Sequence, residues 1–337
     1  MRSLTAVRAL AGLIGAACCS AAAMAGAGEA GPGAGETRIE RLLRSMTLEE
    51  KVGQLNLLST SLDVTGPRST ANLTEAVRRG AVGAVFNAFG AGFTRELQRL
   101  AVEETRLGVP LLMAYDVIHG YRTIFPIPLG QAASFDLGAI ERAARVAAEE
   151  ATAAGVAWTF APMVDVARDP RWGRIAEGAG EDPYLGALVA AAAVRGYQGD
   201  DLAAPDTLAA TVKHFAGYGA AEAGRDYNTV DLSERRLREV YLPPFEAGIE
   251  AGVAAVMPAF NELNGVPATA DPWLLTDLLR GEWGFDGLLV SDYNAVAELI
   301  PPGVAADGRE AAAQALLAGL DMDMQSEAFV EALPGLV

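Results

Sequence analysis

Two amino-acid types are scarce enough to direct a search for chemistry. The chain holds two histidines, His119 and His214, and two lysines, Lys51 and Lys213, beside 24 arginines. One of each stands side by side at the end of Thr211-Val-Lys-His214. A lysine in a chain that otherwise uses arginine suggests that a compact point charge is wanted there. Chance usage at a surface strand end is the plainer alternative. Asp292 closes Gly287-Leu-Leu-Val-Ser-Asp292, a carboxylate leaving an apolar run. So placed, it can be a nucleophile, a general base or a metal ligand, or simply the N-cap of the next helix. Asp116 closes Leu111-Leu-Met-Ala-Tyr-Asp116. It can accept hydrogen bonds from adjacent sugar hydroxyls, or form a salt bridge to Arg122 or to an arginine of Arg168-Asp-Pro-Arg-Trp-Gly-Arg174. That last segment packs three guanidiniums and an indole into seven residues, a pairing suited to polyols. Arg168 and Arg171, taken singly, also read as a solvated loop. His119, three residues after Asp116, reads as a supporting residue rather than a catalytic one. Asp321-Met-Asp323 has metal-like spacing, but no histidine or further aspartate accompanies it, so it reads as strand-end structure. No metal and no cofactor is expected.

These residues need elements to bring them together. Eight short apolar runs recur along the chain: 54–58, 82–87, 110–116, 158–166, 208–214, 254–261, 287–292 and 319–324. Longer stretches rich in Ala, Leu, Glu and Arg lie between them. One, 48–52, carries Thr47 as N-cap with Glu50 three residues on; another starts at Asp271-Pro272. Near-continuous apolar strands alternating with amphipathic helices imply a parallel sheet buried on both faces. Eight such units imply an α/β fold of the (β/α)8 TIM-barrel type, with an open doubly wound sheet as the alternative. In a barrel, chemistry gathers at the C-terminal strand ends. Asn87, Asp116, Lys213, His214, Asn261 and Asp292 are the polar residues there, with Arg168, Arg171 and Arg174 close behind. Successive strand residues point to opposite faces. For Lys213 and His214 both to reach the mouth, the backbone must turn sharply, and a cis peptide at 213–214 or 214–215 is one device.

Composition narrows the class. The chain has 337 residues, 26 Lys+Arg against 43 Asp+Glu, a net charge of -17 and 51% hydrophobic residues. The apolar content supports a large core, and the acidity argues against nucleic acid or anionic membrane as partner. Residues 1–25 read as a signal peptide: Arg2 and Arg8, an apolar run from Ala9 to Cys19, then Ala23-Met24-Ala25. The product is expected to be exported, periplasmic or secreted, with no membrane span. Lipidation at Cys18 or Cys19 is the weaker reading, because Gly15 and Ala16 stand three residues before them. Cleavage after Ala25 would leave no cysteine. Residues 26–36 read as a flexible Gly/Ala linker, and 37–337 as the barrel.

Several segments, in order, make a pattern: Met46–Leu55, Tyr115–Gly120, Arg168–Asp182, Lys213–Gly217, Asp226–Asp231, Ala254–Asn261 and Trp283–Asp292. With them the chain resembles the N-terminal catalytic domain of glycoside hydrolase family 3, especially exported bacterial β-glucosidases. The resemblance covers nearly everything after the linker. It implies retaining, exo-acting hydrolysis that releases β-D-glucose from the non-reducing end of β-glucosides, through a covalent glycosyl-aspartate. Carried over position by position, Asp292 resembles the nucleophile. Asp116, Arg174, Lys213 and His214 resemble the residues that hold the sugar, and Met257 and Tyr293 the pocket wall. Nearby cations are expected to depress the pKa of Asp292.

A retaining glycosidase needs a second carboxyl group about 5–5.5 Å from the first. None in this sequence is a persuasive match. The β-glucosidase branch places that acid in a domain following the barrel. The N-acetylglucosaminidase branch uses an Asp/His pair after the Lys-His strand, but loop 216–230 has no histidine. The acid is therefore expected in a C-terminal domain of the full-length protein, and the barrel's last helix is expected to be largely missing. β-Xylosidase or another family β-glycosidase is the close alternative. A sugar-binding protein without turnover and a Schiff-base aldolase using Lys213 are the distant ones.

Overall fold

The computed structural model describes residues 37–60 and 72–337; the expected signal peptide and linker lie outside the described residues. Eight of its strands are parallel and follow chain order. They are β1 (Asn56–Ser59), β2 (Ala84–Phe86), β3 (Leu112–Tyr115), β4 (Trp158–Thr159), β5 (Thr211–Phe215), β6 (Ala255–Pro258), β9 (Leu288–Leu289) and β10 (Asp323–Met324). An antiparallel hairpin, β7 (Glu262–Leu263) and β8 (Val266–Pro267), interrupts the series. Its turn, Asn264-Gly265, has positive φ at both positions, the geometry that Asn-Gly favours.

Two arcs make the ring. One runs β10-β1-β2-β3-β4 and the other β5-β6-β9. Parallel bridges join them at Trp158 to Ala209, Met163 to Lys213 and Val290 to Met322. The ring is closed, so the barrel reading holds and the open sheet does not. Side chains alternate across its wall. Leu57, Ala84, Phe86, Leu112, Ala114, Trp158, Met257, Leu288, Met322 and Met324 form one buried cluster. Their neighbours Leu58, Val85 and Met113 pack with helical Ala76, Val77, Leu97 and Leu100 in another.

Helices sit where local chemistry starts them. Leu48–Gly53 carries both halves of the Thr47/Glu50 capping box. The Asp271 carboxylate accepts from the Trp273 and Leu274 amides at 2.9 and 3.2 Å, opening a wide-turn helix over Trp273–Glu282. Leu137–Ala153 and Pro183–Gln198 approach closely at Gly196, where a Cβ would stand 2.4 Å from the Glu141 carbonyl oxygen. After β10 comes a short helix, Ala328–Ala332, seated by the fully buried Phe329. Among the described residues, no helix is long and apolar enough to cross a membrane.

Candidate active site at the barrel mouth

The C-terminal end of β5 brings the two scarce residues to one place. The Lys213–His214 peptide is cis, as the facing requirement suggested, and so is Phe215–Ala216. The pairing register with β6 breaks between Lys213 and Phe215. Lys213 Nζ lies 3.0 Å from Asp116 Oδ1 at the end of β3. Asp116 thus pairs with the lysine, not with Arg122 or the 168–174 arginines. His214 Nε2 lies 3.6 Å from Asp292 Oδ2, beyond β9. Asp292 is 8% exposed. Its Oδ1 accepts the amide of the adjacent Tyr293 at 2.7 Å, and its Oδ2 has no hydrogen-bond partner among the described residues. The N-cap alternative fails, because among the described residues no helix N–H reaches this carboxylate.

Electrostatics at the mouth correct one expectation. Asp292 is not depressed. Burial pushes it up to about 6, against the downward pull of Lys213, the Tyr293 amide and Arg174; Asp116 adds to the rise. Both cations already have partners, so desolvation wins. Asp292 is still mostly ionised at neutral pH. His214 is held well below its usual range by burial, then by Arg174 and Lys213, so its ring is neutral. Behind it stands Asp165, 3% exposed. One oxygen, Oδ2, accepts the His214 backbone N–H at 3.0 Å and faces ring Nδ1 at 2.9 Å. Burial pushes Asp165 up to about 7 although the His214 amide opposes it.

The three arginines divide. Arg168 and Arg171 are exposed, and Arg171 pairs with Asp169. Arg174 turns inward to grip Glu177 with two bonds of 2.7 and 3.0 Å, and lies 5.5 Å over the Tyr218 ring. Trp172 is buried and donates Nε1–H to Asp226 at 2.9 Å. Met257 is the register partner of Lys213 and belongs to the barrel-interior cluster, against which half-buried Tyr293 packs. His119 turns away from Asp116, with Nδ1 2.9 Å from the Phe125 carbonyl oxygen. Asn87 follows β2, its Nδ2 3.5 Å from Ser59 Oγ, and Asn261 follows β6 and donates to the Glu262 carbonyl. Asp321 is bonded to Arg280 and the Leu289 amide, and Asp323 to Ser326, as strand-end structure. No group of three His, Cys, Asp or Glu is placed to hold a metal among the described residues.

Sequence reasoning missed Asp165 and Glu177. An aspartate inside an apolar strand run needs a buried partner, and that signal was present. Arg174 and Glu177 stand at i,i+3, a pairing distance on a helical turn.

Comparison with known proteins gives the family of the chain. Residues 47–337 match the Glycosyl hydrolase family 3 N terminal domain. The periplasmic beta-glucosidase of Salmonella typhimurium is 49% identical over 306 residues, spanning 91% of this chain and 40% of that protein. A putative beta-xylosidase of Formosa agariphila is 35% identical, over 90% of this chain and 42% of its own. The crystal structure of a Listeria innocua beta-glucosidase in complex with isofagomine superposes with a TM-score of 0.84 at 46% identity, over 88% of this chain and 42% of its own. The chain therefore spans less than half the length of these relatives. By the family pattern, the closed barrel and this degree of identity, it belongs to glycosyl hydrolase family 3, whose N-terminal domain it carries.

Proposed function

We propose that the protein is a retaining, exo-acting β-glucosidase with Asp292 as its nucleophile. The observation that carries this reading is the buried, unbonded Oδ2 of Asp292 at a mouth lined by Lys213, His214, Asp116 and Arg174. Oδ2 attacks the anomeric carbon, an ester bond forms, and the bond to the leaving oxygen breaks. Water then cleaves the glycosyl-aspartate with retention. Asp116 accepts from sugar hydroxyls while Lys213 and Arg174 donate. Met257 and Tyr293 wall the subsite.

The leaving oxygen needs a proton. Three carboxylates near Asp292 are engaged elsewhere, Asp116 by Lys213, Glu177 by Arg174 and Asp165 by His214. A fourth, Glu298, is raised by burial and lies close enough for the Asp292 charge to raise it further. The general acid/base comes from a C-terminal domain of the full-length protein, as the length of the relatives supports. The protein is exported to the periplasm, in line with the leader-like 1–25 segment and the Salmonella relative.

The test is labelling with a 2-deoxy-2-fluoro-glucoside bearing a good leaving group, which needs no acid. Mass spectrometry should find one sugar on the peptide containing Asp292. Equal labelling of Asp292→Ala would sink the assignment. The Formosa relatives support β-xylosides as a second reading. Faster labelling by the fluoro-xyloside than by the fluoro-glucoside would favour it.

A further inference from the structure

Behind the proposed nucleophile stands a buried three-residue line: Asp165, His214, Asp292. His214 lies between two carboxylates and is neutral, so it carries one ring proton and can donate to only one of them. The two contacts are unequal. Nδ1 is 2.9 Å from Asp165 Oδ2, and Nε2 is 3.6 Å from Asp292 Oδ2, too long for a hydrogen bond.

We infer that Asp165 is a positioning residue that fixes His214 as its Nδ1–H tautomer, so that Nε2 faces the mouth as a bare acceptor and Oδ2 of Asp292 stays unbonded. The deciding contact is the third one. The backbone N–H of His214 donates to the same Asp165 oxygen at 3.0 Å. That N–H can only donate, so Oδ2 of Asp165 is already an acceptor, the role of a carboxylate or carbonyl oxygen, and such an oxygen is the natural acceptor for a proton on Nδ1 as well. Any proton held by Asp165 sits on Oδ1, which has no partner among the described residues. Tyr218 stands edge-on to the imidazole at 5.2 Å and 78°, and ring and carboxylate are both buried.

The consequence falls on substrate and nucleophile together. Nε2 can accept a sugar hydroxyl. It cannot donate to Asp292, so no hydrogen bond tethers the oxygen that attacks. The catalytic meaning rests on the proposed role of Asp292, but the tautomer does not.

The chain's composition makes the test direct. His119 and His214 are the two histidines of these 337 residues, so with histidine labelled with 15N the imidazole signals lost in His119→Gln and in His214→Gln assign both, whatever a further domain adds. A bare and a protonated ring nitrogen resonate far apart. We expect His214 protonated at Nδ1 and bare at Nε2. Asp165→Asn, whose amide oxygen can accept both donors, should keep that pattern. Asp165→Leu, with no acceptor, should lose it and slow fluoro-sugar labelling at least tenfold, while Asp165→Asn stays within threefold of the parent. A wild-type His214 protonated at Nε2 would overturn the inference even if the leucine variant failed to fold. So would an unchanged tautomer in Asp165→Leu. Absence of labelling in the parent, with the tautomer as expected, would count against the nucleophile and leave the inference standing.

Discussion

Replacing the proposed nucleophile by its amide should make the protein more stable at neutral pH. Asp292 is buried, and its carboxyl is raised from 3.8 to about 6. The folded protein therefore holds a proton that the unfolded chain has already released. A carboxyl whose folded-state pKa is raised contributes stability that is fully present below the unfolded value and is lost as pH rises through the folded one. The loss begins near pH 4 and is complete a little above 6. At 1.36 kcal/mol per pH unit, a rise of 2.2 units corresponds to about 3 kcal/mol. Asp292→Asn is neutral throughout and escapes this loss. Its amide also fits the site. The oxygen can accept the Tyr293 amide as Oδ1 does, and the NH2 faces His214 Nε2 where Oδ2 now stands.

Urea unfolding of both proteins at several pH values reads this directly. At pH 7.5 the variant should be more stable by about 3 kcal/mol, and the gap should close toward pH 4. An Asn variant no more stable than the parent at pH 7.5 would refute the reasoning. A gap that does not narrow with acid would do so as well.

Three further outcomes follow from contacts already described. Lys213 is the strongest of the groups pulling Asp292 down, so Lys213→Met should move the acid limb of fluoro-sugar labelling to higher pH, each unit being worth tenfold at acid pH; an unmoved limb would contradict this. Arg174→Lys keeps the charge but not the two-pronged grip on Glu177, and sugar affinity should fall about 10–100-fold in an inhibitor titration; unchanged affinity would remove Arg174 from the subsite. Gly196→Ala pushes a methyl against the Glu141 carbonyl and the Ala144 methyl, at 2.4 and 2.6 Å, and should lower unfolding free energy by about 1–3 kcal/mol with the labelling rate per folded molecule unchanged.

The strands were legible because an all-parallel barrel leaves the plainest local signal, an apolar run ending in a polar residue. All eight runs contain a barrel strand or overlap one. The sharp turn at Lys213–His214 was legible too, because period-two geometry and a need for both side chains at one mouth conflict. The 262–267 hairpin went unread although Asn264-Gly265 marks it, since it sits inside what a barrel reading treats as a loop. Asp165 was absorbed into the fourth apolar run, 158–166, and its partner lies 49 residues away. The direction of the Asp292 shift was misread for a related reason. Sequence shows which cations are near; it does not show that each is already taken, nor how much water the fold removes.

Two cations stand among the carboxylates of the mouth, and the geometry pairs Lys213 with Asp116 and Arg174 with Glu177. Asp292 keeps only a backbone amide and the field of those pairs. A direct ion pair to Asp292 would lower its pKa, and with it the basicity that makes a carboxylate attack. Full burial with no cation nearby would leave it protonated and inert at neutral pH. Holding both cations one partner removed keeps Asp292 ionised but weakly stabilised. A neutral imidazole completes the design, because a protonated His214 would make the ion pair that the rest of the site avoids. On this reading the Asp116–Lys213 and Arg174–Glu177 pairs have two functions, one toward sugar hydroxyls and one toward the reactivity of Asp292.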